Sequence, residues 1–300
     1  MRHRMNARRQ RTMLGIALLL CASLCATLPP AFMLANGHTD QRLADTHNQA
    51  TLALADKTSR AEWEKAREYN TLLAADGPSR QTETTDPWND GTDPGDDDET
   101  YRSLLSTPAD GIMSTIDYPR LGINLPIRHG TGAATLAAGA GHLYGTSLPV
   151  GGTSTRTVIS AHTGLADRLL FDRISLRQAR EGDIFYITTL GRTLAYQVET
   201  ISIVDPDDTS GIRIQEGRDL ATLLTCTPYG VNNQRILVTG HRTGMPDPAP
   251  EPGNAPRSHA WIIPIMWITA VQAATITTIT VVIRRRTAGG KRGRGQHARH

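Results

Sequence analysis

Across 300 residues, 39% of them hydrophobic and 20% charged, the formal charge of +3 sums two opposed regions. Five Arg in residues 1–12 and seven Lys or Arg in 284–300, with no acid in either, leave 20 basic against 29 acidic residues between them, a net of −9. A nucleic-acid binder concentrates positive charge on its folded part, so this acidic middle excludes that class, while the length admits one or two domains.

The basic tail at 1–12 adjoins MLGIALLLCASLCATLPPAFML, 22 uncharged positions at 13–34. A helix of about 20 apolar residues crosses a bilayer core, so a transmembrane helix is expected over 13–35, kinked or ended at Pro29 and Pro30. A cleaved signal peptide also has a charged start and an apolar run. Here the length suits a full span, and no small-x-small cleavage site follows. Cys21 and Cys25 each follow Leu, not the small residue of a lipoprotein site, and read as packing residues.

Residues 36–76 form an N-terminal helical region, weak from 41 to 57 and firm after it. Ser59-Arg60-Ala61-Glu62 fits a capping box, and Trp63, Ala66, Tyr69 and Leu73 then recur at helical spacing. Asp76-Gly77 supplies the stop. Residues 77–108 read as an acidic loop rich in turn formers. Its Asp86-Pro87-Trp88 holds a large aromatic, either a chance residue in a tether or one that docks in a pocket and pins the loop.

From 109 to 244 the pattern turns to strands: IMSTIDY, INLPIRH, RTVISAH, DIFYITTL, TLAYQVETISIV, DLATLLTC and QRILVTG. Turn signals at Pro119, Gly151-Gly152, Gly191 and Asp205-Pro206 separate them, which predicts a mainly β sandwich or closed barrel. One or two helical turns are expected near 165–181. Residues 245–259, with five Pro, read as a semi-stiff spacer. A second span of 24 uncharged residues follows at 260–283, then the basic tail 284–300. Lys and Arg on the distal flank of both spans place both termini in the cytoplasm and residues 36–259 outside.

Beyond the first span the chain has one cysteine, Cys226. It has no partner for an internal disulfide, and a free thiol in an oxidising compartment is a liability unless it is used. The plain alternative is a buried, inert cysteine. A thiol with a pKa of about 8.5 is only a few per cent thiolate at neutral pH, so a nucleophile needs a cationic neighbour. Pro228 ends the sheet pairing and keeps Thr227 extended, leaving Cys226 as the last regular residue at a rim. Arg235 opens the next strand and, if 219–226 and 235–239 pair as a hairpin, lies across from the thiol. His162 closes TVISAH, while His142 and His241 compete with it; spacing does not choose between them. With no second cysteine in this domain and no close His pair, a metal site is not expected.

Over about 40–245 the runs LPIRHGT, GAGHLYGTSLPVGG, SAHTGL, EGDIFYI, PDDTS and TLLTCTPYG, with Arg235 nine residues after Cys226, make the chain resemble a class C, pilin-polymerising sortase. The resemblance implies a closed eight-stranded sortase β-barrel with N-terminal helices and a lid, and no cofactor. It implies that Cys226 attacks the Thr–Gly bond of an LPXTG-like sorting signal to form a thioester. His162 would be acid for the leaving amine and base for the incoming one, and Arg235 would hold the carbonyl or oxyanion. Asp86, Pro87 and Trp88 fit the class C lid, the acid pairing with Arg235 and Trp88 covering Cys226. The implied partners are pilin subunits with a sorting signal and an acceptor lysine, and the lipid bilayer. A class A-like sortase would use the same three residues with a peptidoglycan amine; the lid and second anchor favour class C. A pilus or surface subunit would need an LPXTG-like pentapeptide before the last span, and 245–259 holds none.

Overall fold

The computed structural model describes residues 2–76, 86–88, 93–106, 110–246 and 262–295. In chain order its elements are α1 (Arg2–Leu52), α2 (Asp56–Ala75), a 3-10 turn (Pro94–Asp97), α3 (Glu99–Ser103), β1 (Ser114–Tyr118), β2 (Ile123–His129), α4 (Ala133–Ala138), β3 (Ala140–His142) and β4 (Thr155–Ala161). There follow α5 (Asp172–Ser175), β5 (Ile184–Thr189), β6 (Arg192–Val204), β7 (Asp219–Thr227), β8 (Gln234–Thr243) and α6 (Ile262–Gly295). The chain divides into two compact units, Met1–Ala35 with Ala260–His300, and Asn36–His259.

Two helices, α1 over Gln10–Leu52 and α6 over Ile262–Arg285, are long and apolar enough to cross a membrane. Pro29 and Pro30 lie inside α1 and do not end it. Pro30 has no N–H to give the carbonyl of Ala26 four residues back. The indole N–H of Trp267 on α6 donates to that carbonyl instead, at 3.2 Å. A neighbouring helix that supplies the missing donor is what lets proline persist in such a helix.

In the second unit α2 buries Trp63, Ala66, Tyr69 and Leu73, the face its period predicts. The capping box does not form. The helix starts earlier, at Asp56, and Ser59 lies inside it, its hydroxyl donating to Leu190 O at 3.2 Å. The acidic stretch is not loop throughout. Asp93 and Asp98 accept from Gly95 N and Tyr101 N, both at 2.9 Å, capping the 3-10 turn and α3. Tyr101 and Leu105 are fully buried in the core. Most of the proline-rich stretch 245–259 lies outside the described residues.

The eight strands close a barrel in the order β1-β2-β3-β4-β7-β8-β6-β5. Two neighbouring pairs, β2/β3 and β4/β7, are parallel; the others are antiparallel. Alternation divides each strand between two faces. Ile159, Ala161, Ala221, Leu223, Ile236 and Val238 join the main core. Val158, Leu224 and Leu237 point the other way and form a second apolar cluster with Leu143, onto which Trp88, Val204 and Ile212 pack. Cys226 shares its parity with Leu224, and Arg235 with Leu237. The candidate site therefore belongs to this second, covered face.

Candidate active site

The parallel β4/β7 pair brings distant residues to one rim. Its register runs from Thr155↔Asp219 to Ser160↔Leu224; carried two residues on, it sets His162 level with Cys226. β8 returns antiparallel to β7, and Cys226 and Arg235 are direct register partners. Strand β7 ends at Thr227, one residue later than expected, and Pro228 follows outside the ladder. The three residues thus stand at neighbouring strand ends through ordinary pairing.

Asp86 and Trp88 occupy the space in front of them. Arg235 donates from Nε and Nη2 to the two carboxylate oxygens of Asp86 at 2.6 and 2.7 Å, a bidentate pair. Both side chains are nearly buried, at 8% and 5% exposure. The guanidinium also lies 5.0 Å from the Trp88 ring centroid. From its other side, Trp88 Nε1 donates to His162 Nδ1 at 3.0 Å. An indole N–H is only a donor, so Nδ1 must accept, and the neutral imidazole carries its proton on Nε2.

Burial then sets the protonation states. The Cys226 thiol is 5% exposed. Burial pushes its pKa from 9.0 up to about 11; Arg235 opposes this and the Asp86 charge adds to it. Burial also lowers His162, favouring neutral imidazole. Arg235 is raised: burial works against its charge, but the hydrogen bonds it donates to Asp86 and the negative charge at Cys226 and Asp86 outweigh this. With Asp86 and Trp88 in place, burial favours the neutral thiol and a neutral, capped histidine.

The competing histidines fall elsewhere. His142 is fully buried, with Nδ1 against the Tyr101 hydroxyl and Nε2 against Ser147 O, both at 2.9 Å. Burial drops its pKa to about 4. His241 pairs with Leu220 in the β7/β8 register, at the far end from Cys226, and lies 3.1 Å from Glu199. Among the described residues no group of three or more His, Cys, Asp or Glu is placed to hold a metal ion.

A groove leads from Asp86 and Arg235 along the second face, walled by Leu143, Val204, Ile212, Leu224 and Leu237. The wall from Pro206 to Ile212 was visible in the sequence only as the run PDDTS. Arg156 anchors it by donating Nη1 to Gly211 O, from a position on β4 that reads as an ordinary strand residue.

Residues 116–243 match the family model for the sortase domain. Sortase C-1 from Actinomyces oris is 43% identical, with a TM-score of 0.58 over 63% of this chain and 99% of that one. A sortase C of Streptococcus pneumoniae, studied for its catalysis and pilin substrate specificity, is 35% identical, with a TM-score of 0.59 over 68% and 97% of the two chains. A curated relative, sortase A of Streptococcus agalactiae, is 32% identical over 130 residues; the match spans 42% of this chain and about half, 51%, of that protein.

Proposed function

This chain belongs to the sortase family of cysteine transpeptidases, on the side of its class C members, and from that premise we propose that it joins pilin subunits through a thioester on Cys226. The observation that carries the reading is the register. Cys226 and Arg235 face each other at the rim where β4 delivers His162.

In the proposed reaction an LPXTG-like sorting signal displaces Asp86 and Trp88 and lies in the apolar groove. Before attack Cys226 gives its proton to water and His162, freed from Trp88, takes one up; the thiolate then attacks the Thr carbonyl carbon, and Arg235, released from Asp86, stabilises the oxyanion. The tetrahedral intermediate collapses by breaking the Thr–Gly bond. His162 gives a proton to the departing Gly amine, leaving a thioester. A lysine amine of the next pilin then attacks that thioester. His162 accepts its proton and the Cys226 thiolate leaves as the new amide forms, which restores the thiolate–imidazolium pair. Both steps balance without a cofactor.

The two apolar helices support a membrane anchor, and their basic distal flanks support a topology with both termini cytoplasmic and residues 36–259 outside. The test uses the full-length chain in detergent with a sorting-signal peptide. An acyl adduct mapped by mass to Cys226, absent in Cys226→Ala, is the expected result. An adduct elsewhere, or none with any LPXTG-like peptide, rejects the reading. Adding purified pilin separates polymer ladders from release of monomer or coupling to the wall.

A further inference from the structure

Resting on that reading, we infer that Asp172 is a positioning residue for the reaction, tying the connection after His162 to the turn that joins Cys226 to Arg235. His162 is followed by residues 163–171, and Phe171 N closes this connection by donating to His162 O at 3.1 Å. The Asp172 carboxylate clamps it from within: Oδ1 accepts from Gly164 N at 2.9 Å and Oδ2 from Leu170 N at 2.8 Å. The residue is 3% exposed. The Tyr229 side chain lies near the same carboxylate, whose charge adds to burial in raising the phenol pKa.

Tyr229 stands three residues after Cys226, in a turn where Val231 N and Asn232 N donate to Pro228 O at 2.9 Å. Asn232 O in turn accepts from Arg235 Nη1 at 3.0 Å. Below this, Thr227 Oγ1 donates at 3.4 Å to Ser175 O, at the end of the short helix that Asp172 begins. One buried carboxylate therefore links the chain segments that hold all three site residues.

The reaction gives that link a purpose. Among the described residues, Trp88 is the hydrogen-bond partner of the His162 ring. Substrate displaces Trp88, after which the ring is placed by its backbone alone. A general acid must stay within hydrogen-bond reach of the leaving amine, and a shift of about 1 Å costs about a hundredfold in rate.

The experiment compares two substrates of one sequence in the full-length chain in detergent: the Thr–Gly amide, and an activated ester at the same Thr carbonyl. The amide needs a proton from His162 to expel its amine; the ester departs without one. Asp172→Ala is expected to slow amide acylation about tenfold or more and ester acylation by less than about threefold, with KM unchanged. Asp172→Asn, whose amide oxygen still accepts one N–H, recovers part of the loss. Tyr229→Phe alters an exposed side chain and keeps both backbone contacts, so it serves if Asp172→Ala does not fold; about a threefold loss on the amide alone is expected. Equal losses with both substrates overturn the inference. So does an undiminished amide rate in Asp172→Ala or, where that chain does not fold, in Tyr229→Phe. A wild-type chain that acylates with neither substrate refutes the transpeptidase reading itself.

Discussion

Asp86→Ala perturbs the closed site at its strongest contact. Removing one partner of a buried ion pair costs about 3–5 kcal/mol when the other charge stays buried. Arg235 escapes that cost once the Asp86–Trp88 segment lifts and water reaches it. The variant is therefore expected to open, not to unfold. Opening removes the burial that is the main cause of the raised thiol pKa, and with it the Asp86 charge.

The consequence for Cys226 can be worked through. With a pKa of about 11, about one thiol in three thousand is ionised at about pH 7.5; at 9.0 it is about one in thirty. That two-unit fall corresponds to about 2.7 kcal/mol. A less basic thiolate is also a weaker nucleophile, by about tenfold over two units. The net gain in reactivity is about tenfold, before any gain in access. The assay is the pseudo-first-order rate of iodoacetamide alkylation against pH, on wild type and Asp86→Ala in detergent, with the site mapped by mass. Wild type should inflect near 11 and the variant near 9. A variant whose inflection stays near 11, with rates within about twofold of wild type, refutes the reasoning.

Three further outcomes are expected. Arg235→Lys keeps a charge but loses the planar fork; thioester formation in single-turnover mass assays should fall by about a hundredfold, and a rate near wild type would remove Arg235 from oxyanion stabilisation. Asp117 has its pKa raised to about 7, chiefly by burial and then by the Asp45 charge. A carboxyl with a raised pKa favours the folded state below its ordinary 3.8 and loses that contribution as pH climbs through about 7. Thermal melts across that range should therefore show wild type declining relative to Asp117→Asn, and parallel curves would contradict it. Tyr101→Phe strips the hydroxyl that accepts from Gly130 N at 2.9 Å; melts should report a loss of about 1–3 kcal/mol, with native-state alkylation of Cys226 unchanged.

What was legible in the sequence follows the range of the forces involved. The Cys226–Arg235 contact was readable because a hairpin is local: a strand end, a proline and a second strand fix it within nine residues. His162 was not readable from its own residues, since it reaches the thiol through a parallel pairing with a strand more than 50 residues on. Resemblance to a family supplied that choice, and the register explains it. Pro30 and Ser59 misled for a related reason. Each local rule was overridden by a remote partner, Trp267 in one case and Leu190 in the other. The second half of the acidic stretch misled through composition: four acids in a row read as loop, but Asp93 and Asp98 act as caps and Tyr101 is core. Asp172 had no signal, because a carboxylate that accepts backbone amides leaves no spacing pattern.

On the proposed reading, the placement of the site gives control to the Asp86–Trp88 segment instead of the barrel. Cys226 and Arg235 sit on the face that the main core does not fill, so anything covering them has to come from elsewhere in the chain. Asp86 and Trp88 occupy the groups that the proposed reaction needs: Arg235 through its fork and His162 through Nδ1. A substrate that claims those groups must evict the segment, and its apparent affinity is reduced by the fraction of molecules that are closed. The alignment of the three residues comes from the strand register, to which Asp86 and Trp88 contribute no ladder bonds. On the proposed reading, closure acts on access and on ionisation, and the buried thiol stays protonated until substrate displaces the segment.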